Sequence, residues 1–141
     1  MITISNSNPW ADIPLPPAGQ YSRRRVSDKS AIALFWIRND RNQPGLLVEI
    51  EKSISLRTLH QAKINIRDVS VDVIELAEED IRAVTITLET DRYRDIFVKL
   101  CLDLIEHVSA GDENADSFKA ICTRLKKWQS LLSGKVSSLL S

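Results

Sequence analysis

The acidic and basic residues closest together in a pattern that could do chemistry are in Val48-Glu49-Ile50-Glu51-Lys52. A metal-dependent nuclease needs a carboxylate and, on a neighbouring strand, an acid-X-lysine triplet: the acids hold a divalent cation and the lysine positions water. Here the position two before Lys52 is Ile50, so the triplet fails on spacing, and Glu49 and Glu51 read as the outer face of a strand. His60 and His107 lie near no nucleophile elbow, and the four glycines do not cluster into a phosphate-cradling loop. Cys101 and Cys122 sit in apolar helical stretches as small buried hydrophobes, outside any CxxC or Cys/His cluster. A bridge between them would require their Cα atoms to come within about 7 Å. These readings give no catalytic, metal-binding or cofactor-binding residue and imply no cofactor.

Two candidate surfaces remain. Arg23, Arg24 and Arg25 in a row, with Lys126 and Lys127, form a candidate phosphate-contacting patch for nucleic acid. Trp10, Trp36 and the pair Leu131 and Leu132 offer apolar surface for a partner or a second copy. The 19 basic and 19 acidic side chains cancel across 141 residues, so no global field attracts nucleic acid or anionic lipid. No apolar run approaches the ~18 residues that span a bilayer. The start has neither the basic region nor the apolar run of a signal peptide, which leaves the cytoplasm as the expected compartment.

The elements that must carry these residues follow from periodicity. Residues 1–30 hold four prolines and Gly19 and read as an extended arm anchored by Trp10. Ala31 to Ile37 is almost wholly apolar, as in a strand covered on both faces. After a polar break, Leu46, Val48 and Ile50 line one face of a second strand. Ile54, Leu56 and Leu59 then suit a short helical turn or a tucked loop. Ile64 and Ile66 share one parity while Val69, Val71 and Val73 share the other, which predicts a bulge or bend near Arg67 and Asp68. Val84, Ile86 and Leu88 face inward on a fourth strand.

Thr90 or Asp91 is the expected cap of a helix whose stripe is Tyr93, Ile96, Phe97, Leu100, Leu104 and Val108. Gly111 is placed to end it, and Asp112, Asn114 or Asp116 to cap the next helix. That helix buries Phe118, Ile121, Cys122, Leu125, Trp128 and Leu132, and Gly134 is the expected stop. The fold class is α+β: a roughly four-stranded antiparallel sheet over 31–89, roofed on one face by a helical hairpin over 91–134. With the arm at 1–30, residues 31–141 make a single domain.

Three stretches carry a resemblance: RRRVSDKSAIALFWIRNDRNQPGLLVEI, then DRYRDIFVKLCLDLIEHV, then LKKWQSLLSG. They resemble the opening half of the bacterial PD-(D/E)XK motif proteins, a domain-of-unknown-function family of restriction-like defence clusters. The matching features include Arg24-Arg25-Val26, Arg94-Asp95-Ile96-Phe97, Cys101 and the helix containing Trp128. The resemblance implies an N-terminal accessory module for docking or substrate positioning. It places the nuclease core outside this chain, so the chain alone is expected not to be an enzyme. Its expected partners are that nuclease region or another defence protein. A self-sufficient interaction module, dimeric through its own apolar faces, is the alternative, and direct DNA binding a weaker one. No membrane is implied.

Overall fold

The computed structural model describes residues 8–26, 32–109 and 117–140. Five strands, β1 (Tyr21–Arg25), β2 (Leu34–Asn39), β3 (Pro44–Ile50), β4 (Val69–Leu76) and β5 (Ile81–Leu88), form one antiparallel sheet in the order β1-β2-β3-β5-β4. The helices are α1 (Leu56–Ala62), α2 (Arg94–Ser109) and α3 (Ser117–Leu140). The α+β class stands, with five strands in place of about four. The added strand is the end of the arm: Tyr21–Arg25 pairs with β2, Arg24 opposite Trp36 and Arg25 opposite Phe35. Arginines are unusual strand formers, but their aliphatic stems can lie along apolar neighbours while the charges stay wet. The Arg23 and Arg25 guanidinium carbons lie 4.9 and 5.7 Å from the centre of the Phe35 ring.

Alternation along the strands separates two cores. Leu34, Trp36, Leu46, Val48, Val84, Ile86 and Leu88 face the helices, where Phe97, Leu100, Leu104, Ile121 and Leu125 meet them. On the other face Ile37, Leu47 and Ala83 form a smaller core flanked by Phe35, Ile74 and Leu76. That second face is covered because the sheet curls around it. Tyr21 on β1 and Thr85 on β5, three strand positions apart, line the same hollow. A flat sheet would hold those strands about 14 Å apart. Arg23 likewise ion-pairs with Glu79 in the β4–β5 turn. The curl explains why Thr85 and Thr87, placed by parity on the face away from the helices, are buried.

Gly45 is the residue that lets β3 take part in this curl. A Cβ built there would lie 2.6 Å from the carbonyl oxygen of Ile86 and 3.2 Å from both Ile37 Cγ1 and Thr87 Oγ1. Only a residue without a side chain allows the two backbones to approach so closely.

The arm is clamped to the helix side. The Trp10 ring lies between the sheet and α2, edge-on to Trp36 at 5.2 Å and stacked on Phe97 at 5.8 Å between centroids. Its indole N–H donates to the Gly45 carbonyl at 2.8 Å. Arg38 holds the arm's backbone, donating to the carbonyls of Ile13 at 2.8 Å and Trp10 at 2.7 Å.

The parity change before β4 is present at Arg67 and Asp68, as the bend of the two expected forms and not the bulge. Asp68 takes a left-handed conformation at φ 62°, and the Val69 N–H donates back to the Ile66 carbonyl at 3.1 Å. Thus β4 begins only at Val69. A single 3-10 turn, Asp91–Tyr93, precedes α2, and Thr90 makes no side-chain cap bond. Gly134 does not stop α3, which continues to Leu140. Gly is costly in a helix but ends one only where the chain turns left-handed. The caps expected at Gly111, Asp112, Asn114 and Asp116 lie outside the described residues.

One carboxylate fastens the helix pair. Asp103 on α2 accepts two bonds from Arg124 at 2.9 and 3.0 Å and one from the Trp128 indole at 2.9 Å. Burial opposes its ionisation, yet the bonds from Arg124 and Trp128 and the charge of Arg124 outweigh that, holding it below the usual carboxylate range. Cys101 is fully buried and Cys122 half-buried, and neither is in a disulfide. Burial pushes the Cys101 thiol well up, which makes it unreactive.

Candidate functional site

An apolar groove of about 520 Å³ lies where the far end of the sheet meets the helices. Its floor is Ile66, Val69 and Leu88. One wall is Tyr93, Ile96, Phe97 and Leu100, and the other is Gln129 and Leu132 on α3. The turn before β4 contributes Asn65 and Arg67 to the rim. That turn is pinned to α3 by a hydrogen bond from the Asn65 backbone N–H to Gln129 Oε1 at 2.8 Å. Ile96, on the α2 wall, is 44% exposed. So α3 covers only part of the apolar stripe of α2, and the uncovered part becomes the groove.

A second hollow, of about 340 Å³, opens at the mouth of the curled face. It is polar, with Asp40, Asp72, Glu89 and Arg41 around Tyr21, Thr85 and Thr87. Burial, and then Asp72 and Asp40, raise the Tyr21 phenol above its ordinary value. Some of its polar groups are bonded to one another: Ser70 donates to Glu89, and Asp40 accepts the Gly19 N–H at 2.7 Å.

The sequence-derived candidates do not gather into one place. Arg23 and Arg25 turn to the concave face with Phe35, whereas Arg24 turns to the helix side and donates to the Pro9 carbonyl. Lys126 and Lys127 are exposed on α3, on the roof. The five cations therefore form no single phosphate-contacting patch. Trp10 and Trp36 are 1% and 6% exposed and belong to the core, so neither contributes to an outer surface. Leu131 is exposed beside Trp128, and Leu132 lines the groove. Asn65, Arg67, Tyr93, Ile96 and Gln129 had not been singled out as a site. The signal available for them was the breadth of the α2 stripe, wider than one partner helix can cover.

The architecture is an α+β domain with a curled antiparallel sheet, a helical roof and one apolar groove at their junction. The chain belongs to the family described as "Putative PD-(D/E)XK family member (DUF4420)", whose model matches residues 6–141. Searches of curated proteins and of solved structures returned no match.

The family match corrects one expectation. It runs over essentially the whole chain, where the resemblance had placed this sequence outside the nuclease part and had implied no enzyme. A nuclease-like family across residues 6–141 points toward an enzyme instead. Such nucleases hold a divalent cation between converging carboxylates. Glu49 accepts the Ala33 N–H at 3.2 Å, and Lys52 pairs with Asp80 at 2.5 Å. Among the described residues no group of three or more His, Cys, Asp or Glu side chains converges on one point. These residues do not fit a divalent-cation site, and no catalytic step can be drawn through one. Among them, too, no helix is long and apolar enough to cross a membrane.

Proposed function

We propose that this chain serves a nucleic-acid-cleaving system of the PD-(D/E)XK class by docking a partner protein in the groove between β4, α2 and α3. The observation that carries this reading is the groove itself. Deeper between sheet and helices Leu104 and Leu125 are fully buried, while Ile96 and Leu132 line an open apolar concavity. A hollow of this size, mainly apolar with a few polar groups at its rim, has the make-up of a binding site. The restriction-type defence setting belongs to the same reading, in which docking brings the partner to the nucleic acid that the class acts on.

The test is site-specific photo-crosslinking in the protein's native cells. A benzophenone amino acid at position 96 should give one discrete adduct, lost when Leu132→Glu is added. The same amino acid at Leu102, exposed elsewhere on α2, should not give it. Mass spectrometry should map the adduct to one segment of one protein, and that purified protein should bind the chain about tenfold more weakly after Ile96→Glu. Equal labelling from both positions, or affinity indifferent to Ile96→Glu, would overturn the reading.

A further inference from the structure

We infer that the groove receives a helix of the partner protein, one that presents an apolar face and places a carboxylate against Arg67; the inference rests on the docking reading above. Length and charge both support it. The α2 wall runs from Tyr93 to Leu100. At 1.5 Å per residue this is about 10 Å, or two helical turns. A groove of that length accepts anchors at i, i+3 or i+4, and i+7 of an amphipathic helix. The edge strand β4 contributes only its first residue, Val69, to the groove, too short a stretch for an extended strand to pair with, and the walls are helical.

The rim selects the sign of charge. Among the described residues lining the groove Arg67 is the one ionised side chain, and its side chain is 90% exposed. Among the described residues it pairs with Asp68 at 3.9 Å, a loose contact for a guanidinium so exposed, which leaves its N–H groups open to a second carboxylate. Gln129 has given its carbonyl oxygen to the Asn65 N–H, so what the amide offers a ligand is its N–H donors. A cation and amide donors beside an apolar trough match an acceptor, and a carboxylate on the flank of an apolar helix provides one.

The test is selection from a phage-displayed library of peptides about 16 residues long, using the intact chain as bait and the Ile96→Glu chain as counter-selection. The recovered peptides should carry an apolar stripe at helical spacing and an excess of Asp or Glu on its flank. Against Arg67→Glu the same library should yield Lys or Arg there, and the acidic peptides should bind about tenfold more weakly. Since Arg67 is exposed, that variant keeps the thermal melt of the parent chain. An apolar stripe with no preference of charge would overturn this inference and leave the docking reading standing. Recovery equal to the Ile96→Glu control would overturn both. A dimer by light scattering that Ile96→Glu dissociates would also overturn it, by making a second copy the occupant.

Discussion

Trp10→Ala should destabilise the domain by about 3 to 5 kcal/mol, the cost of emptying a large aromatic site in a closed core. On a chain of this size that lowers the melting temperature by roughly 10 to 15 °C. The indole is 1% exposed, stacks on Phe97, meets Trp36 edge-on and donates to the Gly45 carbonyl at 2.8 Å. It thereby joins the arm, the sheet and α2 at one point, and no neighbour is placed to fill its volume. Trp10→Phe separates the contributions. It keeps most of the ring contact but strands the Gly45 carbonyl, and should cost about 1 to 3 kcal/mol. Urea denaturation followed by circular dichroism reads both. A loss below about 1 kcal/mol for Trp10→Ala would mean that the arm is not part of the folded core.

Gly45→Ala should cost about 2 to 3 kcal/mol, although only a methyl group is added. The new carbon would be 2.6 Å from a backbone oxygen of β5, and backbone cannot move aside as the end of a side chain can. Relief would require β3 and β5 to separate locally, loosening the small core of Ile37, Leu47 and Ala83. It would also shift the carbonyl that accepts the Trp10 indole N–H, so the two substitutions should be coupled. In a double-mutant cycle the combined loss should fall short of the sum by more than about 0.5 kcal/mol. Denaturant titration of the four proteins measures this, and simple additivity would separate the glycine from the arm.

Much of this architecture was legible from periodicity because burial has a direction. Val84, Ile86 and Leu88 share a parity, and Phe97, Leu100 and Leu104 share a helical face; each set lies in the core that its spacing predicted. The strand β1 was less visible because Arg23 to Arg25 look like solvated charge. What fixes them is the cation-π contact with Phe35 and the pairing to β2, and neither leaves a hydrophobic pattern. Thr85 and Thr87 were assigned the right face, but their burial depends on the curl. Curl is a property of the whole sheet, and a two-residue period does not encode it. The one local trace of it is Gly45, where an ordinary strand would carry a side chain.

The groove was harder to see, since its walls come from the turn before β4, the first turns of α2 and the later turns of α3. Ile96 was counted within the buried stripe, as its spacing suggested, yet α3 crosses α2 so as to leave it 44% exposed. A helix stripe states how much surface needs covering and is silent on what covers it. The enzymatic question followed a different course. The spacing around Lys52 argued against a nuclease triplet, whereas the family match over residues 6–141 places the chain within a nuclease-like family.

The most direct measurement of the central claim is methyl NMR of the intact chain titrated with anilinonaphthalene sulfonate, whose apolar rings and single negative charge resemble the inferred ligand in small. The groove account predicts saturable shifts at the methyls of Ile66, Ile96, Leu100 and Leu132, abolished by Ile96→Glu and weakened by Arg67→Glu. Shifts centred on Ile37 and Leu47 of the concave face, or none at the groove methyls, would contradict it.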